Sequence, residues 1–367
     1  RQNKAPVVNS INLYATGSGS TSMTPQASGY HVDVNVTDQN KLSDLNTIKV
    51  TIFYDADGSV NWPGDVPTSA NTQTTVILTW ANGSGFSINA GSPTTWTIGT
   101  CSAPSLSGKT GTFQFDFTVG KVAKETTGSA KWFIYAIATD KSSATGDNHY
   151  PSSGGITMNW YGELTLSSSG TIDWSSVEPG TDFGDTTKQT GIGATYIANG
   201  DYDEKVSSTA YWYDSSASTT LSSSASSGQK NVTVSSASGF EVGQTVLISD
   251  NTNSEIKVID SINGNILTMT ENLTNTYASG SSVKHVAILD ASGSCASTNN
   301  FALKADDTAT LASAVLITTG GVLIDDTGTI TSETGDTVNT NTLWLKLADE
   351  FDKATYSGTI YFTIVNG

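Results

Sequence analysis

Apolar and polar residues alternate at period 2 along much of the chain, a pattern that dictates strands with one buried face. Val32, Val34 and Val36 alternate with Asp33, Asn35 and Thr37. After a polar turn the pattern returns in Ile48, Val50, Ile52 and Tyr54, and Phe113, Phe115, Phe117 and Val119 give its cleanest form. Residues 132–138 are apolar throughout, as in a strand buried on both faces. No long window repeats at the helical period. The expected fold class is therefore all-β.

A chain of 367 residues, at about 150 residues per domain, suggests two domains. The turn-rich stretch 140–155, with its Ser, Gly, Asp and Pro151, marks a boundary. Residues 1–150 are expected to form an amino-terminal β-sandwich and residues 151–367 a carboxyl-terminal one. Strands of the second are expected at 158–166, 172–174, 194–197, 208–213, 301–304, 314–317, 343–347 and 359–365. Residues 222–284 read as a small β module inserted in it, with strands at 231–234, 245–248, 256–259 and 266–269 separated by Gly239, Gly243, Gly264 and Gly280.

Charged residues make up only 14% of the sequence while hydrophobic ones reach 36%, so the chain folds around a core and presents a surface of hydroxyls and amides. Such a surface suits secreted β proteins. The net charge of -17, with Arg1 the only arginine, argues against nucleic acid as a partner. No stretch approaches the roughly 20 apolar residues of a membrane span, and the opening at Arg1 reads as a processed secreted chain.

Catalytic motifs are not visible. His31, His149 and His285 lie far apart and outside any zinc-ligand spacing, and no nucleophile elbow, P-loop or dinucleotide fingerprint occurs. Glu163, Glu178, Glu204, Glu241, Glu255 and Glu350 could serve a glycosidase only as a facing pair, and each reads as a turn or strand-edge residue. The expectation is a non-enzyme that requires no cofactor. One candidate Ca2+ loop stands out, Asp55-Ala-Asp57-Gly58-Ser-Val-Asn61, in which Asp55, Asp57 and Asn61 offer oxygen ligands. Asp38 and Asp44, on a neighbouring turn, join such a site only if the loops converge.

Four N-x-S/T sequons, at Asn35, Asn82, Asn231 and Asn272, are candidate glycan acceptors. Cys101 and Cys295, the only cysteines, are expected to be oxidised outside the cell, within the chain or between chains. Val7, Asn9, Ile11 and Leu13 alternate closely enough for residues 2–14 to act as a donor strand, with 359–365 as the second candidate.

The stretches Gly170-Thr-Ile-Asp-Trp-Ser-Ser-Val-Glu-Pro-Gly180, Leu343-Trp-Leu-Lys-Leu347 and Tyr356-Ser-Gly-Thr-Ile-Tyr-Phe-Thr-Ile364 resemble secreted β-sandwich surface proteins, among them the fibre-forming TasA and camelysin-like group of bacteria and archaea. Ala5-Pro6, Val34-Asn-Val-Thr-Asp38 and Ala138-Thr-Asp140 resemble immunoglobulin-like domains of archaeal surface proteins, and the 222–284 stretch is similar to small β modules of adhesins and phage appendages. What the resemblance implies is an extracellular structural subunit of a cell-surface filament or surface layer whose partners are copies of itself, joined by strand addition. The alternative is a monomeric adhesin or carbohydrate-binding protein, for which glycans are the partner.

Overall fold

The computed structural model describes residues 2–167 and 170–367, excepting the side chains of 326 and 327. Alternation becomes burial residue by residue. In the strand Tyr30–Thr37 every second side chain is buried, Val32, Val34 and Val36 completely. This strand lies between Val7–Ala15 and Thr110–Thr118 in a five-stranded antiparallel sheet, with the short strands Ser18–Gly19 and Thr97–Ile98 at its ends. A second five-stranded sheet orders Thr145–Tyr150, Lys131–Asp140, Leu45–Asp55, Thr75–Ala81 and Gly85–Asn89. Phe113, Phe115 and Phe117 from the first sheet meet Ile48, Val50, Ile52, Trp132 and Ile134 from the second in one apolar cluster.

The unbroken apolar run at 132–138 has a specific cause. Trp132, Ile134, Ala136 and Ala138 enter that cluster, whereas Phe133, Tyr135 and Ile137 face the opposite side. There they pack with Phe53 beneath Val60, Trp62 and Val66 of the loop that follows Leu45–Asp55. Trp62 stacks on His149 with ring centroids 4.2 Å apart. Both faces of the strand are therefore covered.

Beyond residue 158, a twelve-stranded sheet runs along the path Gly162–Leu166, Lys188–Ala198, Asp336–Leu347, Asn300–Asp306, Ser282–Leu289, Thr245–Ser249, Ser254–Asn263, Ile266–Met269, Asn231–Thr233. A three-stranded sheet places Tyr202–Ser208 between Val322–Gly328 and Ile360–Asn366. Val206 and Ile324 of the smaller sheet share a cluster with Ile192, Phe301, Leu303 and Leu343 of the larger. Residues 217–283 hold their own cluster, in which Val232, Val246, Ile259, Leu267 and Tyr277 are buried. Its last strand, Ser282–Leu289, also pairs in parallel with Asn300–Asp306, so the expected limit at 284 falls inside a strand shared by both regions.

Several expected strands are corrected. Residues 158–166 divide into Thr157–Met158 and Gly162–Leu166, and 208–213 is interrupted between Tyr202–Ser208 and Tyr211–Thr220. Residues 172–174 form no strand: the Ser175 N–H donates to Asp173 Oδ1 at 2.7 Å and Ser175 takes φ 56°, turning the chain. Ile172 and Trp174 still pack against the apolar cluster. Within 314–317 the strand covers Val315–Leu316. The helical elements among the described residues are two 3-10 turns, Leu42–Asp44 and Asp185–Thr187, and no described helix is long and apolar enough to cross a membrane.

Main-chain and side-chain hydrogen bonds join the two halves of the chain. Thr157–Met158, whose Met158 lies in the first apolar cluster, pairs in parallel with Ser22–Met23, and across the joint the Glu125 N–H donates to the Asn199 carbonyl at 2.9 Å. Asn199, fully buried, donates from Nδ2 to the carbonyls of Ala123 and Asn159. Glu333 accepts from Thr72 Oγ1 at 2.6 Å and from the Thr95 N–H at 3.1 Å, and Lys121 pairs with Glu163 at 2.7 Å. Buried polar groups satisfied in this way resist separation, because parting them exposes unmatched donors and acceptors.

Replacing Phe115, wholly buried between the first two sheets, by Ala is expected to lower stability by about 3–5 kcal/mol in urea unfolding. Val7→Ala, on a side chain 54% exposed, should change it by no more than about 0.5 kcal/mol.

Candidate metal centre

In the expected Ca2+ loop the carboxylates accept from main-chain donors of their own turn. Asp55 Oδ1 accepts from the N–H groups of Asp57 and Ser59, each at 3.2 Å, and Asp57 Oδ1 accepts from the Ser59 N–H at 2.8 Å. The Asn61 N–H is held by Asp65 Oδ2 at 2.8 Å. The carboxylates thus stabilise the turn that lays Trp62 over the outer aromatic face.

A different set converges. Asp38, Asp44 and Asp140 each bring one carboxylate oxygen within 4.8 Å of the others, and the cluster could hold a metal such as Ca2+. Asp38 directly follows Tyr30–Thr37. Its main-chain N–H donates to the Lys109 carbonyl, and its Oδ1 accepts from the Asn40 N–H at 2.7 Å, turning the chain back. Lys41, in the left-handed region at φ 94°, leads into Leu42–Asp44, which the buried Leu42 anchors to the core. Asp140 ends its strand, with Oδ1 accepting from the N–H groups of Ser142 and Ala144 at 2.8 and 2.9 Å. The Lys141 N–H donates to the Asp44 carbonyl at 2.8 Å, tying the two turns together.

Burial and repulsion pull the cluster apart electrostatically. Asp38 and Asp140 are 0% and 1% exposed. Burial raises the Asp38 carboxyl above its ordinary range, the Asn40 N–H opposes this, and Asp44 and Asp140 add repulsion. For Asp140, burial is outweighed by the hydrogen bonds from Asn3, Ala144 and Ser142, which hold it below its ordinary range. Each pair of unit charges at this spacing repels by roughly 3 kcal/mol at an effective dielectric of about 20.

The remaining candidates are dispersed. Cys101 and Cys295 are not bonded to each other within the chain. Cys101 lies against the main chain of Asp116, while Cys295 packs with Ala302, Ala348 and Phe183 on the larger sheet. Burial raises both thiols, Cys295 to about 11, so neither is a ready thiolate. The opening strand Val7–Ala15 pairs with Tyr30–Thr37 of its own chain, burying Ile11 and Leu13. A bulge between Val8 and Ser10 breaks its alternation, so Val8 turns inward while Val7 and Asn9 are exposed. The closing strand Ile360–Asn366 likewise pairs with Tyr202–Ser208.

Sequence reasoning missed a network around His285, which is fully buried. Its Nδ1 lies 3.0 Å from Asp214 Oδ2, and its Nε2 lies 3.0 Å from both Asp352 Oδ2 and Tyr356 Oη. Burial alone would lower the histidine, but Asp352 and Asp214 outweigh it and raise it above 6.5. Burial tends to raise Asp214, yet Ser216 and His285 hold it below 3.8. No single residue signals this. A second buried group, Glu204, is raised to about 7 by burial, more than Tyr196 and Asn341 bring it down.

The fold and its sites define an all-β chain of several sheets with a carboxylate cluster at one end of its first pair. No protein-family model and no curated protein matches the chain, so neither the immunoglobulin-like nor the fibre-forming resemblance acquires a relative.

The raised His285 adds stability that is complete below about pH 6.5 and is lost as pH climbs through its folded value, whereas the lowered Asp214 adds stability that is complete above about 3.8 and is lost as pH falls. The melting temperature of the wild type should therefore fall from pH 6.5 to 9 more steeply than that of His285→Gln, as a calorimetric pH series reports. For glycans, the attachment nitrogens of Asn35 and Asn82 already donate, to Thr112 Oγ1 and to the carbonyls of Ser43 and Leu45, while Asn231 and Asn272 are exposed. Glycopeptide mass spectrometry of native material should find any occupancy at Asn231 and Asn272, with Asn35 and Asn82 bare.

Proposed function

We propose that this chain is an extracellular structural subunit of a cell-surface filament or surface layer. In this reading it consists of two immunoglobulin-like β-sandwiches in series, 1–150 and 151–367, with the 222–284 module projecting from the second. The observation that carries the proposal is the joint between the halves. Asn199, Glu333 and Lys121 bridge it with hydrogen bonds and an ion pair where a flexible linker would let the halves swing. A rigid, sparingly charged subunit can transmit load along an assembly.

Subunits join by β-strand addition at sheet edges. The three-stranded sheet offers two, Val322–Gly328 and Ile360–Asn366, with Leu323 45% and Tyr361 51% exposed. Pairing of the opening strand within its own chain favours these edges over residues 2–14 as the contact. The adhesin reading draws on the stacked Trp62 and His149, a half-buried aromatic surface suited to a sugar ring.

Concentrated protein, viewed by negative-stain electron microscopy, should form fibres or sheets, and Tyr361→Lys, which sets a charge on the edge, should shorten or abolish them without lowering the melting temperature. Monomers at every concentration, together with glycan-array binding lost in Trp62→Ala, would favour the adhesin instead.

A further inference from the structure

We propose that Asp38, Asp44 and Asp140 bind one Ca2+ ion, and that this ion locks the opening segment of the chain onto the first pair of sheets. Three acidic side chains near one another carry little weight alone. Asp38 supplies the need for a cation. Its side chain is wholly buried, Oδ1 is used by the Asn40 N–H, and Oδ2 has no hydrogen-bond partner. A buried carboxylate oxygen left unmatched costs several kcal/mol unless a proton or a cation meets it. None of the ion pairs among the described residues involves Asp38, Asp44 or Asp140.

The donors select the ion. All three are carboxylate oxygens, hard ligands that suit Ca2+ or Mg2+ over the nitrogen- and sulfur-seeking transition metals. Ca2+ tolerates irregular oxygen shells completed by water, whereas Mg2+ demands a near-ideal octahedron. The turns that carry the cluster are built by main-chain hydrogen bonds from three separate parts of the chain, an arrangement closer to the irregular shell.

The same turns hold the start of the chain. Asn3 Nδ2 donates to Asp140 Oδ2 at 2.7 Å, and the Lys4 N–H donates to Asn40 Oδ1 at 3.0 Å. An ion that fixes Asp140 and the 38–44 turn therefore fixes both partners of residues 3 and 4. Without it, repulsion loosens the turns, and the opening segment with them. This inference is independent of the filament proposal, since it concerns a single chain.

The full-length protein, stripped with EDTA and dialysed, is titrated with CaCl2 by isothermal calorimetry and by thermal unfolding. One equivalent of Ca2+ should bind, raise the melting temperature by several degrees, and slow amide exchange in residues 2–5 at least tenfold. Asp38→Asn, which keeps the shape and removes the charge, should melt higher than the stripped wild type at pH 7 and lose the response to Ca2+. Asp44→Asn should weaken binding at least tenfold, and Asp57→Asn should leave it unchanged. Absence of binding, a response that survives Asp38→Asn or vanishes in Asp57→Asn, or tighter binding of Mg2+ than of Ca2+ would each overturn the assignment, whatever microscopy finds about assembly.

Discussion

The antiparallel ladder between Leu45–Asp55 and Lys131–Asp140 is the constraint on which much of the first half of the molecule depends. It runs from Lys131 opposite Asp55 to Asp140 opposite Leu45, with a bulge just before the last pair. Ile48, Val50 and Ile52 thereby lie beside Trp132, Ile134 and Ala136 on the inner face, and Phe53 beside Phe133 on the outer one. The ladder also sets the end of one strand against the start of the other. Asp140 consequently arrives next to the turn that carries Asp44, although nearly a hundred residues separate them in the chain.

Charge is scarce in this protein, and its placement is selective. A buried charge is stable only when paired or richly hydrogen-bonded. His285 is held between Asp214 and Asp352, and through them it links the strands Tyr211–Thr220 and Ser282–Leu289 to the segment before the closing strand. Asp140 is supplied with main-chain N–H groups and Asn3. Asp38 lacks a comparable supply, and this imbalance distinguishes the carboxylate cluster from an ordinary network of buried polar groups.

The joint between the halves and the open sheet edges bear on the same functional question from opposite sides. Asn199 donates to a carbonyl in each half, Ala123 and Asn159, and Glu333 accepts across the joint from Thr72 and Thr95, so the halves are tied together. The three-stranded sheet ends in Val322–Gly328 on one side and Ile360–Asn366 on the other, and sheet edges are where strand addition takes place.

Strands were legible in the sequence wherever alternation was regular, because a half-buried strand needs nothing beyond apolar residues at every second position. Val32 to Val36 and Phe113 to Phe117 are the clearest cases. The reading failed where short apolar runs met local turn chemistry, as at Ile172 to Trp174, and where a bulge reversed the faces, as at Val7 to Asn9. Carboxylates carry no such local mark. Asp55-Ala-Asp57 has the spacing of a cation loop yet uses its oxygens on its own turn, whereas Asp38, Asp44 and Asp140 meet only because two sheets close over one core. The sequence by itself determined which residues turn inward along each strand, since that follows from period and polarity alone. Which distant side chains share a site was decided by tertiary structure, because strand register and sheet packing bring together residues whose local sequences carry no information about each other.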